Sequence, residues 1–590
     1  MRIPKIENIK TRFPDNFGIK DSLRNNRIQN PEFLELTLNS YDILASLKEQ
    51  SLSISEYLKR NNSISIFDHQ IFAAEKVKNK LGGTAMLADE VGLGKTIEAG
   101  ILIKEFLTTK LATKVLVLTP PSLLLQWQDE LASKFNMDFV VHKGDSRFTS
   151  ISDHDLIVMS HSSAAYPKQS EQLQRIFWDL VVVDEAHSMK NDETLKHRLV
   201  RNLPKRNLLL LTATPLQNNL KELYNLVDLL HPGHLGTWKE FEDRYTLGRD
   251  SKKVNPIFRV ELQKALSELI IRTTRDEVRR YIKFTDRIPH TKIIEPDHNE
   301  ARLYHGITNV IRQLYSGNYN TLALMMYQRL ASSSTNSSKT ALYRMKINKI
   351  ITESQYDEVM AIANKIPMDS KLSHLLDIVD KADSKFLIFT EFYATQDYIA
   401  DALKGRGHPE ILFNGRMNSV EKHDAVAGFR KDIEIMISTS AGGEGQNFQF
   451  CHNVINYDLP WNPMRVEQRI GRVHRIGQVR NVNIFNFALR GTIEAYILEL
   501  LFMKIKLFQM TLGDMDLLFE DSWGAGSPQT WFKEYMDADN DEDEIRNQFS
   551  SLGDDWNTRK KTVGTAIKSF NEEVFANFDL SALGKKDESG

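Results

Sequence analysis

Apolar residues along this chain fall into two alternating regimes. From about residue 65, short β-type runs, KVLVLT (114–119), DLIVMS (155–160), LVVVDE (180–185) and NLLLLTATP (207–215), alternate with stretches of helical spacing. Continuous Val/Leu/Ile runs of this length suit strands buried on both faces of a parallel sheet, and the alternation predicts a doubly wound α/β unit. Residues 216–380 break the pattern and read as mostly helical. Near residue 386 the strands return as KFLIFTEF, EILFNG, IEIMISTS, NVINYDLP and NVNIFNFAL. The expected organisation is an N-terminal helical extension (1–61, carrying FLELTLNSYDILASLKEQ), a first α/β lobe (62–285), a helical protrusion or linker (286–370), a second α/β lobe (371–510) and an acidic extension (511–590). In that extension DADNDEDE (537–544) reads as a solvated linker, and the final GKKDESG as disordered.

Composition narrows this picture only slightly. At 590 residues the chain needs several cores, on about 100–200 residues per domain. The net charge of -2 gives no overall basic signature, although a basic face can be balanced elsewhere. The single cysteine, Cys451 in FQFCHNVINY, excludes an internal disulfide and a Cys-based zinc ribbon and reads as a small core thiol. MRIPKIENIKTRFPDN lacks an apolar signal region, and no run reaches the length of a membrane span. These features predict a soluble, cytoplasmic protein without a membrane partner.

Candidate chemistry begins at LADEVGLGKTIEAG (87–100), a phosphate-loop pattern with Asp89 where the first glycine usually stands. A short apolar run, TAMLA, precedes it and a helical pattern follows. Gly92 and Gly94 would let the backbone approach phosphates at a helix N-terminus. Lys95 would reach the β- and γ-phosphates and Thr96 would hold Mg²⁺. A glycine turn before an ordinary helix is the alternative from this segment alone. Asp184 and Glu185 follow the strand LVVV, at the carboxyl edge where ligands of open α/β sheets collect. One carboxylate can orient Mg²⁺ and the other polarise the attacking water. Thr212 and Thr214 come to the same edge. Gln70 in FDHQ could read an adenine edge; taken alone it reads better as a surface glutamine.

In the second unit, EQRIGRVHRIGQ (467–478) places Arg469, Arg472 and Arg475 at three-residue spacing, roughly one helix face. That face is either a solvated or DNA-contacting basic surface, or two of its arginines neutralise transition-state charge. In the second case ATP sits in the cleft between the units, and hydrolysis is coupled to cleft movement. STSAGGEGQNF (438–448) is a glycine-rich turn suited to a nucleotide or to a nucleic-acid backbone.

Taken in order, these motifs resemble the superfamily II, DEAH-box helicase-like ATPases, and more narrowly the Swi/Snf family of double-stranded DNA translocases. The narrower resemblance rests on TPLQNNLKELYNLVDLLHPG (214–233), FEDRY (241–245), IIRTTRDEV (270–278) and YDLPWNPMRVEQRIGRVHRIGQ (457–478), and it spans roughly 64–510. Asp89 then matches the family's own version of the loop. RLASSSTNSSKTAL (329–342) looks closest to the bacterial RNA-polymerase-associated type, for which this chain is short, and Ser440 departs from the arginine usual before AGG.

The resemblance implies two RecA-like parallel-sheet lobes with helical insertions. It implies an ATP- and Mg²⁺-dependent motor that moves along double-stranded DNA and remodels or displaces bound protein. A place in a larger bacterial complex would follow, for RNA polymerase recycling, repair or anti-phage defence, with subunit contacts through the terminal extensions. Gln70, Asp89, Gly92, Gly94, Lys95 and Thr96 would surround the nucleotide, and Thr96 and Asp184 the metal. Lys95, Asp184, Glu185, Arg472 and Arg475 would carry catalysis. Ser122 and Gln126 in TPPSLLLQW (119–127), Ser160, Thr390, Asn414, Gly415 and Thr439 would touch the DNA backbone, without sequence readout. The alternatives are a strand-separating helicase and a catalytically inactive nucleic-acid-binding scaffold.

Overall fold

A computed structural model of the chain describes residues 51–60, 65–90, 92–142, 151–212, 220–247, 250–279, 281–317, 319–439, 446–504, 528–538 and 542–551. The chain divides into two compact units, Met1–Leu52 and Ser53–Gly590, and both α/β lobes belong to the second. The expected N-terminal helix, Thr214, Ser440 and the terminal GKKDESG lie outside the described residues.

The apolar runs form strands because both faces of each are covered. In the first lobe these are β1 (Ala85–Leu87), β2 (Val115–Thr119), β3 (Val140–His142), β4 (Leu156–Ser160), β5 (Trp178–Val183) and β6 (Lys205–Leu211). A hairpin follows, of β7 (Thr246–Leu247) and β8 (Asp250–Val254), and then the short β9 (Ile270–Ile271). The seven-stranded sheet has the order β3-β4-β2-β5-β6-β1-β9, and every pair in it is parallel. Val115 lies level with Leu156 on one side and Leu180 on the other, so Thr119 and Ser160 end their strands side by side. Each buried Val or Leu contributes about 1.5–3 kcal/mol to such a core.

The second sheet joins β10 (Arg287–Ile294), β11 (Phe386–Thr390), β12 (Glu410–Phe413), β13 (Ile435–Thr439), β14 (Asn453–Asn456) and β15 (Val482–Leu489), in the order β10-β15-β14-β11-β13-β12, again all parallel. This corrects the boundary expected at residue 286. The segment assigned wholly to a helical protrusion opens with an edge strand of the second sheet. RIPHTKII hides because Pro289, His290, Thr291 and Lys292 interrupt it and half of its positions are exposed, so it carries no continuous apolar run.

The helices His298–Ser316, Thr321–Ser333, Thr335–Ile347 and Glu353–Ala363 form the expected helical block. Ser334 ends one helix and caps the next, its hydroxyl accepting from the Ser337 N–H. The block packs on one face of the second sheet together with Trp531, Phe532 and Tyr535 of the helix Pro528–Asp537. The acidic run therefore differs from the linker expected. Asp537 closes that helix, Glu542–Glu544 open another helical stretch, and Ile545 and Phe549 join the same core. Among the described residues no helix is long and apolar enough to cross a membrane.

Candidate nucleotide site

The loop after β1 turns into the helix Lys95–Thr108 through two glycines in the left-handed region, Gly92 (φ 87°) and Gly94 (φ 100°). Gly94 has a second reason to be glycine: a Cβ there would stand 2.4 Å from the Gln70 amide nitrogen. Gln70 is buried over the loop, its Nε2 donating to the Leu93 carbonyl (2.9 Å) and its Oε1 accepting from the Phe67 N–H (3.1 Å). The Lys95 ammonium donates to the carbonyls of Asp89 (2.6 Å) and Glu90 (3.4 Å). Burial lowers its pKa, against the opposing charges of Asp89, Glu185, Glu98 and Asp184.

Asp89 corrects the expectation that it surrounds the nucleotide. It is fully buried, is not among the residues lining the cavity beside Lys95, and accepts from the Thr273 N–H (2.7 Å). The acid thus ties the loop to the segment just after β9, where a glycine could offer no such bond.

At the end of β5, the Asp184 N–H donates to the Leu118 carbonyl (2.8 Å), seating the acidic pair at the carboxyl edge of the sheet. The Asp184 Oδ2 accepts from Trp127 Nε1 (2.8 Å) and Thr119 Oγ1 (3.4 Å), and its Oδ1 from the Glu185 N–H (2.9 Å). Glu185 takes a left-handed conformation (φ 48°) that costs a non-glycine residue about 1–3 kcal/mol and turns its carboxylate into the cavity. Burial and the charge of Glu185 raise the pKa of Asp184. For Glu185, burial acts upward but is outweighed by the His187 hydrogen bond and the charges of His187, Lys95 and Arg472, so its pKa falls. The environment pulls the two acids apart and keeps Glu185 ionised.

The second lobe closes the site. Gln70, Lys95, Thr96, Asp184, Glu185 and Arg475 line one cavity of about 400 Å³. The Ile476 N–H donates to the Gly92 carbonyl (3.2 Å), and a Cβ on Gly92 would lie 3.2 Å from Arg475 Cγ. The three arginines do not share a helix face as expected, because the helix Pro463–Ile470 stops before Gly471. Arg469 is buried inside the lobe, donating to Asn456 Oδ1 (3.1 Å) and the Asp458 carbonyl (2.9 Å) and pairing with Glu391. Arg472 is buried and its charge reaches Glu185. Arg475 is in electrostatic reach of Glu130, Glu185 and Asp184.

The SNF2-related domain family matches residues 65–356, and the helicase conserved C-terminal domain matches residues 370–477. A Bacillus subtilis (strain 168) protein named uncharacterized ATP-dependent helicase YqhH is 37% identical over 492 residues, covering 82% of this chain and 86% of that protein. The chain belongs to the SNF2 family. It is a helicase-family ATPase with the family's two parallel-sheet lobes. RNA polymerase-associated protein RapA of Vibrio atlanticus (strain LGP32) is 27% identical over 480 residues, covering 73% of this chain but 48% of its own length. The chain thus spans about half of that relative. A solved structure, the Sulfolobus solfataricus SWI2/SNF2 ATPase core in complex with dsDNA, aligns at 24% identity and a TM-score of 0.36, over 78% of this chain and 96% of that one.

For this SNF2 chain the residues expected on DNA divide into two groups. Ser160 ends β4, Thr439 ends β13, Asn414 and Gly415 directly follow β12, and Ser122 lies just beyond β2, all at carboxyl edges of the sheets. The other two are corrected. Gln126 lines the cavity beside Lys95 and donates to Glu130 Oε1 (2.8 Å). Thr390 is fully buried, its hydroxyl donating to Asp458, so it presents no group to a backbone. Sequence reasoning also missed Trp127, the last residue of TPPSLLLQW, as the partner of Asp184. Its signal was the indole itself, on an apolar helix start, whose N–H needs a buried acceptor once the ring is buried.

Proposed function

We propose that this SNF2 ATPase binds Mg·ATP in the cavity between its lobes and uses turnover to move along double-stranded DNA without separating the strands. The observation that carries the reading is that one cavity collects Lys95, Thr96, Asp184 and Glu185 from the first lobe and Arg475 from the second. Thr96 and Asp184 offer the hydroxyl and carboxylate oxygens that Mg²⁺ prefers, on the same cavity wall. An ion held by Thr96 and Asp184 would neutralise negative charge developing on the phosphates. Lys95, held at the loop by two carbonyls, brings an ammonium to the cavity that would pair with the phosphates. Glu185, kept ionised, polarises the attacking water and takes its proton. Arg475 in the cavity, and Arg472 whose charge reaches Glu185, offset charge on the phosphoryl group as it passes to water and ADP leaves. Gln70 packs on the loop glycine and lines the cavity, where its remaining amide N–H would be available to the base.

The DNA backbone would run along the strand ends that carry Ser122, Ser160, Asn414, Gly415 and Thr439. The lobes already meet near this rim: Gln446 Nε2 donates to the Ser122 carbonyl (2.6 Å), and His423 pairs with Asp129 (2.7 Å). Closure of the cleft would then advance the grip on DNA.

The test is ATP turnover with and without duplex DNA. Lys95→Ala and Glu185→Gln should each abolish the stimulated rate, and wild-type turnover in either variant would end the assignment. Displacement of a triplex strand without unwinding of a forked duplex is expected. Efficient fork unwinding would favour a strand-separating helicase, and stimulation by RNA but not duplex DNA would overturn the substrate. The name of the RapA relatives makes purified RNA polymerase the first protein partner to try.

A further inference from the structure

The chain crosses from the first sheet to the second between Val278, which closes the short helix after β9, and Arg287, which opens β10. His474 sits against both sides of this crossing and is buried. Its Nδ1 lies 3.1 Å from Arg275 Nη1 and 3.0 Å from Arg287 Nε, and its Nε2 lies 2.7 Å from the Thr285 carbonyl oxygen. A guanidinium can only donate and a carbonyl only accept, so the partners fix the tautomer: hydrogen on Nε2, lone pair on Nδ1. Burial and the charges of Arg287 and Arg275 push the imidazolium pKa down to about 3, so the ring is neutral.

The surrounding bonds extend in both directions. The His474 carbonyl accepts from Arg275 Nη2 (3.0 Å), and the Arg275 N–H donates to Glu90 Oε2 in the phosphate loop (3.0 Å). Arg287 pairs with Glu467 (2.7 Å) in the second lobe. Leu93, Val278 and Ile282, with Phe284 and Ile476, close the junction with apolar contacts. The residue that follows His474 is Arg475, the second lobe's arginine in the nucleotide cavity.

We propose that His474 is a positioning residue for ATP hydrolysis: its Nδ1 lone pair, shared between Arg275 of the first lobe and Arg287 of the second, latches the junction and fixes Arg475 in the cavity. This rests on the reading that ATP is hydrolysed there. The histidine touches no reacting atom and acts through its neighbour.

Two substitutions separate the ring's nitrogens. Asparagine places an amide oxygen near the Nδ1 position, whereas glutamine reaches the Nε2 position and leaves a methylene where the lone pair stood. With duplex DNA present, His474→Gln should lower kcat at least about tenfold with the KM for ATP changed less than about threefold, and His474→Asn should recover most of the loss. Added to Arg475→Ala, His474→Gln should cost nothing further, because both changes remove one arginine's contribution. Equal losses in the Gln and Asn variants, an additive double variant, or a normal kcat for His474→Gln would each overturn the proposal. No turnover by the wild-type protein would instead refute the ATPase reading itself.

Discussion

Lys371 is a buried cation that faces two buried anions. Its ammonium lies 3.2 Å from Glu494 Oε2 and 3.4 Å from Asp458 Oδ1. Burial acts to lower its pKa, but the two carboxylates reverse this and raise it. One positive charge compensates only one carboxylate. Burial first, with the Asp458 charge adding to it and Lys371 opposing, pushes Glu494 up to about 7 from an ordinary 4.5. A folded-state pKa above the unfolded value means that the native protein binds more protons between these pH values. The stabilising contribution is complete below about pH 4.5 and is lost as pH rises through 7. The difference of about 2.5 pH units corresponds to about 3 kcal/mol.

Glu494→Gln removes the titration and preserves the shape; its one amide oxygen can replace either Oε1, which accepts from the Leu459 N–H (3.1 Å), or Oε2, which accepts from Lys371 (3.2 Å), and the bond lost is a cost that does not vary with pH. The measurement is the thermal midpoint of both proteins from pH 5 to pH 8 at constant ionic strength. Other titrating groups are common to the two proteins, so their difference isolates this one. The variant should gain on the wild type as pH rises, by as much as about 3 kcal/mol, at about 2–4 °C per kcal/mol for a lobe of this size. A gap that does not change with pH would refute the argument that one ammonium is shared by two carboxylates.

Gly100→Ala should destabilise the first lobe, because a Cβ there would lie 2.3 Å from Phe135, a fully buried ring with no room to retreat. Overpacking of about 1–3 kcal/mol then outweighs the roughly 1 kcal/mol of helix propensity that alanine gains, and an unchanged or higher melting midpoint would contradict this. Trp127→Phe removes the indole N–H from Asp184 and should raise the Mg²⁺ concentration for half-maximal turnover about tenfold, with most of the rate restored at saturating Mg²⁺. An unchanged Mg²⁺ requirement would show that the bond does not prepare the carboxylate. Arg475→Ala should cut turnover at least about 100-fold while leaving the melting midpoint nearly unchanged, whereas Arg469→Ala should lose about 1–3 kcal/mol of stability by removing the buried donor to Asn456 Oδ1 and the Asp458 carbonyl, with Glu391 still held by Arg329. A parallel loss of stability in both variants would mean that the two arginines play the same part.

Much of this could be read from the chain because the informative signals were local. Strands such as β2 and β5 are apolar throughout, since both faces are covered, and the carboxyl edge that carries Asp184 and Glu185 follows directly from where such a run ends. Lys95 and Thr96 were legible for the same reason, as the first residues of a helix behind a glycine turn. β10 was not, because an edge strand interrupted by Pro289, His290, Thr291 and Lys292 has no continuous apolar signature. Arg469 and Arg475 share a spacing but not an environment, since a three-residue repeat describes a face only while the helix lasts. The contacts of Trp127 with Asp184 and of Arg275 with His474 join segments 57 and 199 positions apart, and no periodicity encodes such pairings.

The segment from Arg469 to Arg475 gives hydrolysis a route to the rest of the molecule. Its first residue is fixed to the second sheet through Asn456, Glu391 and the Asp458 carbonyl, and Asp458 in turn holds Thr390 at the end of β11. Its last residue reaches the phosphate loop. Six residue steps span at most about 20 Å when fully extended. The buried Val473 and His474 between them prevent that extension, so Arg475 follows the second sheet once the bonds of His474 to Arg275 and of Ile476 to Gly92 are released. The same sheet carries Asn414, Gly415 and Thr439 at its carboxyl edge. If the lobes part, the arginine leaves the nucleotide and these residues leave the rim of the first lobe together. On the proposed mechanism ATP need not signal to DNA across the molecule. It only has to bind the closed arrangement more tightly than the open one, and its differential affinity sets the limit on the work closure can do.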